Sequence, residues 1–435
     1  ILAFEGEGTE ESPYLVSTAK QLDMVRRNLT AHYLQVNDID LTDYTSAITS
    51  NYEAFGFEPI GCLSFDNVND YWSSGQASII EDLSFSGVYD GGNKKIKGFW
   101  QNSPEILATV GLFGSVAGAD SEIRNVNLDS PDSFIKGSGY VGAICGSISY
   151  GKIKNCSNNI PIECSYAPSF EEMYLGTTIG GITAMCGGIV DNCRNNGNIT
   201  GTNQIDAAGG IVGYSGGIIS ESPGFIISNC VNAGDITTAG GILAGIAANA
   251  IKDNCSIINC VNKGNINCSS TSLSNSYAAG IIANTNTGCK IISCINTGNM
   301  IGAYAAGLCG NLYSSEVSNC YTEGSVTVKN DEPAETYDFY AGAITASLWS
   351  DSIIKDSFTT KNTIVNGKVV SADSIYGHSD YYAGDLSNVT CSYILNNGYE
   401  DEIKTTTWSD EATWLDGSKW ILRTDRLPEL VLPTE

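Results

Sequence analysis

Apolar residues in this chain come in short bursts, separated by turns rich in glycine and asparagine, with little helical spacing. The most regular burst reads Asn-Cys-x-Asn-x-Gly-x-Ile. It occurs as "NCSNNIPI" from Asn155, "NCRNNGNI" from Asn192, "NCVNAGDI" from Asn229, "NCVNKGNI" from Asn259, "SCINTGNM" from Ser293 and "NCYTEGSV" from Asn319. Its anchor cysteines are Cys156, Cys193, Cys230, Cys260, Cys294 and Cys320. A second element, of the type "GGIVG", alternates with the first. Its inward residues are expected to be Leu112, Ile144, Ile182, Ile211, Ile242, Ile281, Leu308 and Ile344, at spacings of 32, 38, 29, 31, 39, 27 and 36.

Such a period is too long for a leucine-rich repeat, and the units lack the helical pattern of ankyrin or tetratricopeptide repeats. Glycine, asparagine and β-branched residues favour short strands and tight turns. One unit cannot bury its own apolar face, so units must stack, and stacked strands give a β-solenoid rising about 4.8 Å per coil. Equivalent positions then lie above one another. Cysteine, isoleucine and valine form apolar ladders, and turn asparagines accept a left-handed backbone and hydrogen-bond along the stack. The glycine of Asn-x-Gly is expected to supply a positive φ at a corner. The glycine pair before isoleucine allows a turn or a close backbone approach.

Open solenoid ends need caps. "STAKQLDMVRRNL" is amphipathic, with Leu22, Met24, Val25 and Leu29 apolar, and Thr18 with Gln21 form a capping box. At the other end Trp414, Trp420 and Leu422 are placed to cover the last coil. This divides one continuous solenoid into residues 1–105 (cap and first coils), 106–370 (repeats) and 371–435 (last coil and cap).

Composition narrows the function. The chain has 435 residues and a net charge of −26, which excludes nucleic acid and anionic membrane surfaces as natural partners. No apolar run is long enough to span a membrane. The start "ILAFEGEG" reads as part of a longer precursor carrying other domains. The 15 cysteines recur in an apolar context and read as buried thiols, and two histidines make a zinc site improbable. No cofactor is expected, although acidity is compatible with structural calcium.

From Phe4 to Leu430 the chain resembles GLUG-motif repeats of large bacterial surface and secreted proteins, some of them immunoglobulin A peptidases or adhesin-like. The stretches that carry this are "GTEESPYLVSTAKQLDMV", "YLQVNDIDL", "EPIG", "FSGVYDGGNKKIKGF" and "VGLFG", in that order. The resemblance implies an all-β, right-handed parallel β-helix of roughly 8–10 coils, outside the cell or on its surface.

Counts from the end of each cysteine element to the next inward residue locate a variable arc: 20 for Ile162–Ile182, 12 for Ile199–Ile211, 6 for Ile236–Ile242, 15 for Ile266–Ile281, 8 for Met300–Leu308 and 18 for Val326–Ile344. Insertions on one face of a solenoid often bind ligands. The longest contain Tyr166, Phe170 and Tyr174, and Tyr337, Phe339 and Tyr340, which are the expected ligand-binding residues, suited to an extended glycan or a protein surface. A catalytic carboxylate pair would occupy one position of neighbouring coils. Five residues after each anchor cysteine stand Pro161, Asn198, Asp235, Asn265, Asn299 and Ser325, with one carboxylate among them. The motifs of metalloproteases, serine hydrolases and P-loops are absent. A non-catalytic, adhesin-like surface repeat protein is therefore expected, with a β-helix polysaccharide lyase or hydrolase and a purely structural spacer as the alternatives.

Overall fold

The computed structural model describes residues 4–44, 56–103, 107–130, 133–164, 177–269, 276–329, 340–349, 351–360, 363–369, 376–379, 389–395, 420–421 and 429–430. The chain forms two compact units, Ile1–Phe225 and Ile226–Glu435. Each is a right-handed parallel β-helix.

One coil of the second unit shows the plan. Ser256–Ile258 and Val261–Asn262 lie on a first face, Ile266–Cys268 and Tyr277–Ala279 on a second, and Ile282–Asn284 on a third. The chain then returns one rung on, at Lys290–Ile292, with Ile257 opposite Ile291. The variable arc joins the two strands of the second face. In two coils they merge, as Ile199–Gly209 and Ile236–Ala244. In the first unit Tyr14, Tyr33, Tyr89, Ile123, Ile153 and Val190 stand in register along the first face. Aromatic rings fill the early coils where aliphatic side chains fill the later ones.

Four residues of the repeated octet have distinct structural roles. Its first asparagine is the left-handed corner: Asn155, Asn192, Asn229, Asn259 and Asn319 have φ between 52° and 56°, and Ser293 has 55°. Asparagine tolerates this backbone because its short side chain bonds locally. The cysteine is buried in every copy, and its thiol donates to the carbonyl two residues back, 3.2 Å for Cys156 to Lys154 and 3.3 Å for Cys260 to Ile258. The second asparagine is buried too. Asn232 Nδ2 donates to Asn262 Oδ1 at 2.8 Å, and Asn262 Nδ2 to Asn296 Oδ1 at 2.8 Å. Each amide also donates to its own turn: Asn262 Nδ2 reaches Gly264 O at 2.9 Å.

The glycine of Asn-x-Gly departs from expectation. Gly197, Gly264 and Gly298 do not have positive φ. They are required for space: a Cβ on Gly264 would stand 2.0 Å from Gly234 O, and one on Gly298 1.9 Å from Gly264 O. The positive φ lies instead on the asparagine before the cysteine.

Of the inward residues, Leu112, Ile144, Ile182, Ile211, Ile281, Leu308 and Ile344 are fully buried. Ile242 is not among them. It pairs outward with Tyr277 and is only partly buried, while Ile246 is fully buried and its N–H donates to Ile281 O. In this coil Gly240 and Gly241 lie within the strand. The corner is made by Gly245, where a Cβ would meet Gly280 O at 2.3 Å. The register expected from sequence rests on the wrong glycine pair, and with Ile246 the two irregular spacings of 31 and 39 become 35 and 35.

The N-terminal cap is helical over Ala19–Met24, with Thr18 accepting from Gln21 N and Leu22 and Val25 buried. Met24 and Leu29 are only partly buried. Arg26 ties the cap to the next segment, donating to Glu58 O at 2.8 Å and Pro59 O at 3.0 Å. A second helix, Phe65–Ser74, has no counterpart in the repeat pattern. Ser64 and Asn67 form its capping box, Gly75 closes it at φ 69°, and Phe65, Val68 and Tyr71 are its buried stripe. At the C-terminus Trp420–Ile421 pairs antiparallel with Glu429–Leu430, while Trp414 and Leu422 lie outside the described residues.

Candidate ligand-binding surface

Four residues before the inward isoleucine or leucine, the second-face strand presents an outward side chain. In the second unit this position reads Ile242, Tyr277, Tyr304 and Tyr340, in register from rung to rung. The Tyr277 and Tyr304 rings stack with centroids 4.7 Å apart and 19° between planes, and Tyr304 and Tyr340 lie 5.9 Å apart, tilted by 50°. All three tyrosines are half-buried. The stacked rings of Tyr277 and Tyr304 cover each other's faces. Burial, with a smaller contribution from Tyr304, pushes the Tyr277 phenol up to about 12.

The ladder lies in an outer angle between the second and third faces. Ile242 and Tyr277 pack over Ala244, Ala279 and Ala283, which are fully buried beneath them. At the same place in the first unit stands Gly142, where a Cβ would meet Cys145 O at 2.0 Å. Next to Ala283 on the third face stands Asn284, the centre of a second ladder. Asn284 Nδ2 donates to Asn249 Oδ1 at 3.1 Å, and Asn311 Nδ2 to Asn284 Oδ1 at 2.8 Å. Each amide has two donor hydrogens and two lone pairs, so one pairing per rung leaves further capacity. The result is an uncharged strip, phenol on one side and amide on the other, running from rung to rung.

In the first unit the equivalent angle is covered by the chain itself. Phe65, Val68 and Tyr71 of the second helix cluster with Ala108, Tyr140, Ala184, Ile218 and Ile219, leaving Tyr140 6% exposed. Tyr71 Oη is 2.8 Å from Ser220 Oγ and accepts from Ser220 N at 2.8 Å.

Of the six residues expected to bind ligand, Tyr340 belongs to the ladder. Tyr166, Phe170, Tyr174, Tyr337 and Phe339 lie outside the described residues. Tyr277 and Tyr304 are not among the six, although "YAAG" at both and "YAGA" at Tyr340 spell the same position. The signal that marks them is carried by the strands rather than by the insertions between them. The column in which a carboxylate pair would have stood instead ties rung to rung. Asp235 Oδ1 accepts from Asn265 N at 2.7 Å, Asn265 Oδ1 from Asn299 N at 3.1 Å, and Asn299 Oδ1 from Ser325 N at 2.8 Å. Among the described residues no three His, Cys, Asp or Glu side chains converge as a metal site requires, and no helix is long and apolar enough to cross a membrane.

No family model matches the chain. A protein of Evansella cellulosilytica named "Putative Gly-rich membrane protein" is 37% identical over 158 residues, which is 36% of this chain and 15% of that protein. The chain thus spans well under a fifth of the length of this relative. A crystal structure described as "a putative immunoglobulin A1 protease from Bacteroides ovatus" aligns over 99% of this chain and 95% of its own, with a TM-score of 0.42 and 16% identity.

Proposed function

We propose that this chain is a non-catalytic segment of a bacterial cell-surface or secreted repeat protein, adhesin-like, and that its second unit engages an extended ligand along the Tyr277–Tyr304–Tyr340 ladder. The ladder carries this reading. Half-buried tyrosines repeated at one register position are not needed to close the coil, since in the first unit Thr178 and Ala207 stand there, and Tyr140 at the same position is buried under the helix. Tyrosine gives a broad amphipathic contact at low entropic cost. A ligand repeating along one axis, either a glycan chain or an elongated protein face, makes the same contact at successive rungs. The resemblance to GLUG-repeat proteins and the partial match to a relative named as a membrane protein support a place outside the cytoplasm. The use of Asp235 to bridge rungs supports a non-catalytic role.

The test is a glycan and protein array probed with the parent and with a Tyr304→Ala/Tyr340→Ala double variant. Binding by the parent that falls at least tenfold in the variant is expected. Equal binding would take the ladder out of the mechanism, no binding to any ligand would favour the spacer, and polysaccharide cleavage by the parent would favour the lyase or hydrolase.

A further inference from the structure

Among the described cysteines of the second unit, Cys255, Cys268, Cys289 and Cys309 stand outside the anchor column, and two of them are neighbours. Cys255 and Cys289 each occupy the residue before a first-face strand, and those strands pair with Ser256 opposite Lys290. Lys290 N donates to Cys255 O at 2.9 Å. The two residues are therefore neighbours on successive rungs, where Cα atoms are about 4.8 Å apart, inside the range a disulfide spans. Both sulfurs face one carbonyl, Lys252 O, at 3.3 Å from Cys255 and 3.9 Å from Cys289. The anchor thiols also reach back one rung but to separate carbonyls: Cys260 faces Ile258 O and Ile227 O, and Cys294 faces Ile292 O and Ile257 O. Both cysteines are buried, each 1% exposed, but the turns leading into the pair reach the surface, where Ile251, Asp253, Asn254 and Thr287 are exposed, so a small disulfide enters as these turns open.

We propose that Cys255 and Cys289 form a dithiol site which a low-molecular-weight disulfide converts to a bridge between consecutive coils. The site stands independently of any ligand on the tyrosine ladder. Cys289 is the attacking group. The hydrogen bond from the Cys255 thiol brings it down to about 7 against the opposing effect of burial, helped by Asn286 and Ser315. The Cys289 thiolate attacks one sulfur of the small disulfide and expels one small thiolate. Cys255 then loses its proton and attacks Cys289 Sγ in the mixed disulfide, expelling the second small thiolate. Two protein thiols lose two electrons and two protons, and one small disulfide becomes two small thiols. In the anchor stack burial pushes Cys156 and Cys294 well above the ordinary thiol value, whereas against burial the bonds from Cys230 and Cys294 hold Cys260 below it, so the mapping must also follow Cys260.

Serine suits the test, because Ser315 and Ser352 stand at the same place before the next first-face strands, Glu316–Ser318 and Ile353–Thr360. The whole chain is incubated with oxidised glutathione and mapped with trypsin without reduction. The expected product joins peptide Asp253–Lys263 to peptide Gly264–Lys290, and fragmentation places the bridge at Cys255–Cys289. Cys255→Ser should stop at a glutathione adduct on Cys289. The bridge should raise the thermal midpoint of the parent and leave that of Cys255→Ser/Cys289→Ser unchanged. A bridge through Cys260 or Cys268, persistent thiols at both positions while a control dithiol peptide oxidises, or no adduct on the single variant would overturn the proposal.

Discussion

Asn262 holds its coil to both neighbours and closes its own turn. It accepts from Asn232, donates to Asn296, and donates to Gly264 O. Asn262→Ala strands buried partners on three sides, at a cost of about 1–3 kcal/mol for each group left without a bond. A clear fall in the urea midpoint is expected, and an unchanged midpoint would mean that water replaces the ladder. On the opposite edge of the repeat, Asp90 ends an outer row of corner asparagines. Burial alone would raise its carboxyl, but bonds from Asn125, Arg124 and Gly92 N outweigh it and hold the group below the ordinary value. A depressed folded-state pKa stabilises above the unfolded value, about 3.9, and that stabilisation is lost as pH falls through the folded value. The parent should therefore exceed Asp90→Asn in stability at neutral pH, and the two urea midpoints should converge towards pH 3. A constant gap would show that hydrogen-bond geometry, not charge, does the holding.

The same outer angle is covered by two different elements. In the first unit the helix Phe65–Ser74 lays Phe65, Val68 and Tyr71 over small strand residues; in the second, tyrosines on the strands cover the alanines themselves. The helix is held at its far end by Tyr71 Oη and Ser220. Tyr71→Phe removes both bonds and nothing else, which costs about 0.5–1.5 kcal/mol for each. Hydrogen exchange should quicken within Phe65–Ser74 while first-face strands such as Lys152–Lys154 keep their protection. If the strands loosen equally, the helix is an integral part of the coil rather than a cover.

At the scale of the whole molecule, coils contact mainly their neighbours, so damage stays local and depends on which way a residue points. Ile246 and Ile242 are four residues apart in one chain segment, one fully buried and the other half-buried beside Tyr277. Ile246→Asp places an unpaired carboxylate in the core, at a cost of several kcal/mol. Ile242→Asp leaves its carboxylate within reach of water and costs about 1–2 kcal/mol in lost apolar contact. Thermal melts should rank parent, Ile242→Asp and Ile246→Asp in falling order; the reverse order of the two variants would restore the register in which Ile242 points inward.

By itself the sequence determined the repeat, the strand class, the buried cysteines and the N-terminal cap, because each follows from residue type recurring at matching positions. Asn before Cys is a local requirement of backbone angle, and the Gly two beyond the second Asn recurs because the neighbouring rung leaves no space for a Cβ. Three things were decided only by tertiary structure. The inward residue of the coil from Ser228 turned on whether Gly241 or Gly245 faces its neighbour, a matter of distance to Gly280 in the next rung. The helix Phe65–Ser74 has modest apolar content, and it acquires its place from an outer angle that exists only once the coils are stacked. The tyrosine ladder was written in plain repetition, yet only the pairing of strands shows that Tyr277, Tyr304 and Tyr340 stand above one another and outside the core. A period of two along a strand does not say which face is buried; closure of the coil does.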